Sequence, residues 1–212
     1  MPTLLSVQVG RPHARPHPDG QWLSSIYKEA VDTPVALDFL NLQGDEQADL
    51  TVHGGPDKAV CTYSADHFTF WQATLGRPEL GPGAFGENFT VSGLDETTIC
   101  LGDVFAIGTV LVEVSQPRSP CWKLGRKWDR LDLPKLVLRA GKTGWYFRVR
   151  QPGVVAAGQD IRLVDRPYPA WTVAEVNRVA YAKKTDDIRV ARRELASCPA
   201  LAESWRVDLA GG

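Results

Sequence analysis

The sequence lacks any apolar stretch that approaches the roughly 20 residues needed for a membrane-spanning helix. Its N-terminus also lacks the basic start and apolar block of a secretory signal, so we expect a cytoplasmic protein with no membrane partner. An excess of either charge is missing too, since 24 lysines and arginines face 25 acidic residues. No overall field therefore favours a nucleic-acid polymer as a partner, and any anion site has to be local.

Paired cysteines are absent as well. The four cysteines stand far apart with no C-x-x-C pair, which argues against a disulfide framework, structural zinc and an iron–sulfur cluster. The chain shows no P-loop and no G-x-G-x-x-G motif after a predicted strand, so it has no visible route of its own to NAD(P)H. Cys61 and Cys100 lie in apolar, strand-like runs and are predicted to be inert core residues. Cys198, just before a proline, is predicted to be structural.

The fourth cysteine, Cys121, has a different neighbourhood. It follows a strand-like run and two prolines, and Arg118 stands three residues before it. A nearby guanidinium favours the thiolate, so Cys121 is a candidate nucleophile or soft metal ligand. Two simpler interpretations stay open: a free cysteine often acts as a small buried hydrophobe, and Arg118 could form a surface salt bridge instead of binding an anion.

Short strands dominate the first part of the chain. Apolar residues alternate with polar ones in segments 5–9, 35–40 and 110–114, and glycine, proline and aspartate turns separate the strands. This pattern favours a mainly β fold, a closed or nearly closed barrel. Helix signals interrupt it at 64–76, which begins with Ser64 and ends at Gly76, and at 133–140.

The periodicity changes from 2 to 3.6 residues after Pro169. Thr172 opens a first helix with a capping box, a second begins at Asp186, and Pro199 is predicted in the first turn of a third. We expect a barrel domain over 1–168 and a three-helix domain over 169–212 that packs on the barrel or on a partner. Because the tail has no metal-ligand cluster, its removal is expected to leave cofactor binding largely intact.

Six short motifs follow one another across roughly residues 25 to 165. They occupy positions 44–49, 53–60, 83–88, 101–103, 116–121 and 141–146. In these motifs and their order the chain resembles MOSC-domain proteins of the YiiM-like group. The resemblance implies a MOSC-type β-barrel with a few short helices and a small C-terminal helical bundle.

The resemblance also implies a chemistry. This group binds the molybdenum cofactor, a Mo-pyranopterin, and is associated with the reduction of N-hydroxylated bases such as hydroxylaminopurine; pyridoxal phosphate binding is also associated with the family. Cys121 would be the metal ligand and catalytic residue. The implied partners are a small N-hydroxylated substrate and a separate flavoprotein reductase as electron donor, and a homodimer is a further expectation.

The resemblance assigns further cofactor contacts, which are Lys28, His53, Gly54, Gly55, Lys58, Glu87, Asn88, Arg118 and Ser119. Glycines let backbone approach a ligand, cations suit a phosphate, and carboxylate or amide groups suit a pterin edge. We therefore expect an anion pocket where Lys28, His53, Lys58 and Arg118 converge. Without the resemblance, the Gly54–Gly55 segment is simply a turn and Lys28, in a strand-like segment, is a solvated lysine.

Two other functions stay open. The chain could be a non-catalytic sulfur-carrier or cofactor-binding module that uses a Cys121 persulfide, or Cys121 could be a thiol nucleophile assisted by His53. Trp122, Trp128 and Trp145 could stack on a flat base or form the wall of a pocket.

Overall fold

A closed seven-stranded β-barrel forms the centre of the molecule. The computed structural model describes residues 1–18 and 20–211. Its strands are β1 (Thr3–Val9), β2 (His13–His17), β3 (Gly20–Ser24), β4 (Glu29–Ala30), β5 (Val35–Leu37), β6 (Val60–Ser64), β7 (Phe89–Ser92), β8 (Val104–Ile107), β9 (Val110–Pro117), β10 (Trp145–Gln151), β11 (Gly153–Val155) and β12 (Gln159–Asp165). The barrel order is β12-β8-β9-β10-β6-β7-β1, and β1 closes it by pairing with β12. The predicted β-barrel is confirmed.

The barrel strands are antiparallel except at β6 and β7, which pair in parallel with Thr62 opposite Phe89. A parallel pair needs a long crossover, and the chain between these strands supplies it with helix α1 (Phe68–Leu75) and the turns that follow. This crossover covers the outside of the barrel. It therefore creates a second layer beside β6, which is where the candidate site lies.

Alternation along the strands separates two apolar clusters. On β6 and β10, Val60, Trp145 and Phe147 belong to the cluster that fills the barrel. Tyr63 points to the other face and belongs to an outer cluster, where its ring stacks on Phe85 with centroids 4.1 Å apart. Successive side chains of a strand point to opposite faces, so the neighbours of the interior residues face the outer layer.

The outer layer is built by helices. The helices of the described chain are α1, α2 (Trp122–Lys127), α3 (Leu133–Ala140), α4 (Val173–Tyr181), α5 (Asp186–Ala196) and α6 (Glu203–Ala210). Leu124 of α2 and Val137 of α3 pack into the outer cluster. None of the helices in the described part of the chain has the length and apolar character to cross a lipid bilayer.

The C-terminal helices pack on the barrel itself. Six buried valines and leucines of the tail belong to the same cluster as the barrel interior: Val173, Val176, Val179, Leu195, Leu201 and Leu209. Backbone hydrogen bonds also join the two parts, from Val173 N to Ile99 O at 3.0 Å and from Ala202 N to Ser115 O at 2.9 Å. The shared core crosses the predicted boundary between residues 168 and 169.

Local predictions succeeded where a cap or a stop defined an element. The Ser64 hydroxyl accepts a hydrogen bond from Asp66 N at the turn before α1, and Gly76 ends that helix with a φ of 62°. Thr172 Oγ1 accepts the Glu175 N–H at 3.1 Å, as a capping residue should. The helix over 133–140 is present with its predicted bounds.

Other boundaries differ from the predictions. The strand predicted at 35–40 ends at Leu37, Lys28 lies in a loop between β3 and β4, and α6 begins only at Glu203. Pro199 therefore precedes the last helix, in a turn that Leu201 anchors in the core. The hairpin of β2 and β3 and the short helix α2 were not predicted. Tertiary packing decides such short elements more than local propensity does.

Candidate functional site

A cavity lies against the outer face of β6 and β10, between the barrel wall and the outer layer. Eight of the ten predicted site residues are among the described residues that line it: Lys28, His53, Gly54, Lys58, Asn88, Arg118, Ser119 and Cys121. They come from four separate stretches of the chain. The fold therefore brings most of the predicted set to one place, including the thiol and the four side chains of the expected anion pocket.

Arg118 is the most buried cation of the cavity, with 6% of its surface exposed. Its backbone N–H donates to Gly144 O at 3.0 Å, and its Nη2 donates to Phe85 O at 2.5 Å. Burial alone would lower the pKa of Arg118. At the high pH at which an arginine loses its proton, Cys61, Tyr146 and then Cys121 would be anionic, and their charges outweigh burial and raise the pKa. The guanidinium is thus a permanent positive charge held beside two thiols.

The lining carries a positive balance. The described lining residues include four cations, Lys28, Lys58, Arg118 and Lys123, and two carboxylates, Asp45 and Glu46. Lys28 is ion-paired with Asp45, and both side chains are almost fully buried. Lys58 donates from Nζ to Val52 O at 2.9 Å. Within residues 1–18 and 20–211, no salt bridge joins Arg118 or Lys123 to a carboxylate, so an anion entering the cavity could bind both cations directly. At Lys28 the anion would compete with Asp45.

His53 contributes a neutral imidazole rather than a charge at neutral pH. Burial is the main reason that its pKa falls below the ordinary value, and the positive charges of Lys123, Lys58 and Arg118 lower it further. Its backbone N–H donates to Asp49 O at 3.0 Å, which holds the loop before the two glycines. His53 can therefore accept or donate a hydrogen bond in the cavity, and it acquires a positive charge only under acidic conditions.

The two glycines after His53 have different roles. Both have left-handed backbone, with φ of 82° at Gly54 and 85° at Gly55, which favours glycine at each position. Gly54 lines the cavity, and a Cβ there would lie 3.0 Å from the Gln47 side-chain oxygen. Gly55 lies outside the described lining and instead accepts the Lys58 N–H at 2.9 Å. Of these two glycines, Gly54 is the one placed to bring backbone close to a ligand.

Glu87 and Asn88 are engaged with the protein itself. The fully buried Glu87 carboxylate accepts hydrogen bonds from Gly83 N at 2.7 Å and Phe85 N at 2.9 Å, and it is not among the described lining residues. Asn88 reaches the cavity, but its Oδ1 accepts the Cys61 N–H and its Nδ2 donates to Gln8 O. Glu87 shapes the 83–88 loop, and Asn88 connects β1, β6 and β7, so neither side chain presents a free edge to a pterin.

Cys61 is buried, as predicted, but it also lines the cavity, which was not predicted. Its β6 position lies opposite Tyr146 of β10, which lines the same cavity and was not predicted as a site residue. Burial is the main cause that raises the pKa of the Cys61 thiol, and likewise that of the Tyr146 hydroxyl. Both groups therefore keep their protons at neutral pH. Val60 and Trp145 point into the barrel, so their strand neighbours Cys61 and Tyr146 point outward, toward the cavity. This alternation in the sequence could have identified both residues.

The three tryptophans considered for stacking are not equivalent. Trp145 is fully buried inside the barrel, and Trp128 donates from Nε1 to Ala84 O at 2.8 Å within the outer layer. Trp122, next to Cys121 in sequence, is 53% exposed. The Arg126 guanidinium lies 4.6 Å from the Trp122 ring centroid, in the range of a cation–π contact. Of the three, Trp122 is the one that a ligand could reach.

A buried lysine ties the outer layer to the cavity wall. Lys127 of α2 donates from Nζ to Ile26 O at 3.1 Å and to Gly83 O at 2.6 Å. Burial lowers the pKa of Lys127 to about 8. Its two carbonyl contacts join α2 to the segment that carries Ile26 and to the 83–88 loop. The helix that follows Cys121 is thereby fixed against the other side of the cavity.

Comparison with known proteins supports the resemblance. The family model described as MOSC domain matches residues 49–162, and the one described as YiiM-like, 3-alpha helix domain matches residues 171–207. The chain is 41% identical over 206 residues to Protein YiiM of Escherichia coli, covering 95% of this chain and 88% of that protein. It is 38% identical over 203 residues to a Gibberella moniliformis protein named Reductase, covering 93% of this chain and 35% of that protein.

A solved structure confirms the architecture. The crystal structure of YiiM from Geobacillus stearothermophilus superposes with a TM-score of 0.84 at 38% identity, covering 100% of this chain and 98% of that one. The likeness thus extends over the barrel and the C-terminal helices together.

Proposed function

The chain belongs to the MOSC family and carries the YiiM-like three-helix domain, and from that premise we propose that it is a molybdenum-cofactor-dependent reductase of N-hydroxylated bases. The observation that carries the proposal is the single cavity in which Cys121, Arg118 and three lysines lie together. The name of the Gibberella moniliformis relative, Reductase, supports a reductase-type activity.

The residues of the cavity fit a Mo-pyranopterin. Such a group needs a soft protein ligand for its metal, cations for its phosphate, and polar groups for the pterin. Cys121 is a soft ligand, and the Ser25 hydroxyl is a buried lining group with no hydrogen-bond partner among the described residues. No cluster of three or more His, Cys, Asp or Glu side chains suited to a metal ion occurs in residues 1–18 and 20–211. One thiolate suits a metal whose remaining ligands belong to the cofactor.

In this mechanism Cys121 would hold the metal, while Lys28, Lys58 and Lys123 would bind the phosphate. The bound cofactor would supply a metal that takes up an oxygen atom while alternating between two oxidation states. Arg118 would maintain a positive charge in the buried part of the cavity. The Tyr146 hydroxyl keeps its proton and is hydrogen-bonded to the Cys61 thiol, so this pair would form a neutral, polar part of the cavity wall. Overall, the N–O bond of an N-hydroxylated base breaks, two electrons and two protons enter, and the amine and water leave.

The electrons would come from a flavoprotein reductase, because the chain has no visible nucleotide-binding motif for NAD(P)H. The Gibberella moniliformis relative supports a partner of this kind, since this chain matches 35% of a longer protein that is named Reductase. A cytoplasmic location and a homodimer remain part of the proposal as predictions.

Elemental analysis tests the proposal. The full chain is produced in a host that makes the molybdenum cofactor, as wild type, as Cys121→Ser and as Cys198→Ser, whose thiol is buried in the tail core. We expect stoichiometric molybdenum in the wild type and in Cys198→Ser, and its loss in Cys121→Ser. A wild-type protein without molybdenum would refute the proposal, and sulfane sulfur on Cys121 in that protein would favour the sulfur-carrier alternative.

A second candidate, a thiol hydrolase, is favoured by one observation: neutral His53 lines the same cavity as Cys121. A neutral imidazole can act as a general base toward a thiol. A burst of p-nitrophenol from p-nitrophenyl acetate that disappears in both Cys121→Ser and His53→Gln would support it. A burst that persists in His53→Gln would remove the assisted-nucleophile mechanism.

A further inference from the structure

The C-terminal helix α4 reaches the segment that carries Cys121. The Tyr181 hydroxyl lies 3.1 Å from the Ser119 hydroxyl, within hydrogen-bond distance. Four residues earlier on the helix, Asn177 Nδ2 donates to Thr143 Oγ1 at 2.9 Å. Residues four apart share one face of a helix, so a single face of α4 makes both contacts.

The two contacts reach chain segments that adjoin Arg118, the most buried cation of the site. Ser119 follows Arg118 and stands two residues before Cys121, in the irregular segment between β9 and α2. Thr143 precedes Gly144, whose carbonyl accepts the Arg118 N–H at 3.0 Å. One helix face therefore restrains both the thiol segment and the strand end to which that segment is hydrogen-bonded.

Helix α4 is itself firmly held. Val173, Val176 and Val179 are buried in the cluster that fills the barrel. At the C-terminal end of α4, the Tyr181 ring meets Trp205 of α6 edge-on, with centroids 6.4 Å apart. Tyr181 is 52% exposed, so it adds little to the buried core. Its specific contribution to the site is the hydroxyl contact with Ser119. A rigid helix that contacts an irregular segment at its end can limit how far that segment moves.

We propose that Tyr181 is a positioning residue of the site and that, through it, the C-terminal domain holds the Ser119–Cys121 segment in place. This inference does not depend on the identity of the cofactor or the substrate. It also extends the site beyond the barrel domain, since no tail residue is among the predicted site residues.

The test measures the alkylation rate of Cys121 by iodoacetamide in the metal-free full chain, with the labelled peptides quantified by mass spectrometry. The variants are Tyr181→Phe, Ser119→Ala and the double variant, and Tyr168→Phe, whose ring lies beside Gly102, is the matched control. Tyr181→Phe keeps the ring on Trp205 and removes only the hydroxyl. Ser119 is exposed, so Ser119→Ala should not threaten folding.

Loss of one hydrogen bond should raise the alkylation rate of Cys121 about fivefold in each single variant. The double variant should react no faster than the single variants, because both changes remove the same contact. Tyr168→Phe should match the wild type, and the urea midpoint of Tyr181→Phe should stay close to that of the wild type. An unchanged or lower Cys121 rate in Tyr181→Phe and Ser119→Ala, or additive effects in the double variant, would overturn the proposal. Neither result depends on whether the protein binds molybdenum.

Discussion

Removing the C-terminal helices should destabilise the barrel strongly. From the sequence alone, we expected their removal to leave cofactor binding largely intact. Six buried tail side chains share the core of the barrel: Val173, Val176, Val179, Leu195, Leu201 and Leu209. Burying one such side chain stabilises a protein by roughly 1.5–3 kcal/mol. If about half of that contact is made with the barrel, the truncated chain loses about 5–9 kcal/mol, comparable with the roughly 5–15 kcal/mol that separates most folded domains from unfolding.

A point substitution gives a graded version of the same experiment. Leu201 is almost fully buried, so Leu201→Ala should lower the free energy of unfolding by about 2–5 kcal/mol. Val207, 60% exposed on α6, supplies the matched control, and Val207→Ala should change stability by less than about 0.5 kcal/mol. Urea unfolding followed by tryptophan fluorescence measures both variants and a chain that ends at Pro169.

Two results would show that the reasoning is mistaken. The first is a chain ending at Pro169 that unfolds cooperatively at the same urea concentration as the full chain. The second is a Leu201→Ala variant as stable as Val207→Ala. Either result would mean that the tail packs on the barrel without stabilising it, and the predicted boundary between residues 168 and 169 would then separate two independent units.

Three further predictions concern the site. In the metal-free protein, iodoacetamide should label Cys121 faster than Cys61, because burial raises the pKa of the Cys61 thiol. Peptide mapping measures both labelling rates, and faster labelling of Cys61 would contradict the prediction. Glu87→Gln should lower the free energy of unfolding in urea by about 2 kcal/mol. The reason is that the buried carboxylate accepts hydrogen bonds from two backbone N–H groups and from the Thr90 hydroxyl. An unchanged urea midpoint would argue against a stabilising role of these hydrogen bonds. Tungstate should bind more tightly as the pH falls below the usual histidine range, because the pKa of His53 is lowered and the imidazole becomes positive only there. Equilibrium dialysis between pH 7.5 and 5 should show this in the wild type and a weaker pH dependence in His53→Gln, and identical profiles would exclude His53 as the titrating group.

Elements with a chemical start or stop were predictable from the sequence. A hydroxyl that accepts a backbone N–H begins α4 at Thr172, and a left-handed glycine ends α1 at Gly76. These signals act over three or four residues, so neighbouring sequence contains them in full. The alternation in β1 and β9 was readable for the same reason. Short elements without such signals, among them α2 and the β2–β3 hairpin, depend on what packs against them and were not predicted.

The burial of His67 was predictable from the sequence, but its hydrogen-bond partners were not. His67 lies within the helix predicted at 64–76, on the same apolar stripe as Trp71, and this position favours a packed histidine over a ligand. The structure buries it with its Nε2 2.7 Å from Glu96 and its Nδ1 3.1 Å from Lys142 Nζ. The pattern indicated burial correctly, whereas both partners come from segments 29 and 75 residues away and could not be named in advance.

By itself, the sequence determined the class of fold and the order of most strands and helices. It also identified a set of site residues, most of which line one cavity. These features were readable because periodicity, caps and short motifs are local properties of the chain. The tertiary structure decided which face of each strand meets that cavity. It added Cys61 and Tyr146 to the lining, directed Glu87 and Asn88 toward protein partners, and brought Tyr181 to Ser119. These outcomes depend on how strands close into a barrel and how the tail packs on it. Contacts between residues far apart in sequence are set by the packing of the whole chain, which no local pattern specifies.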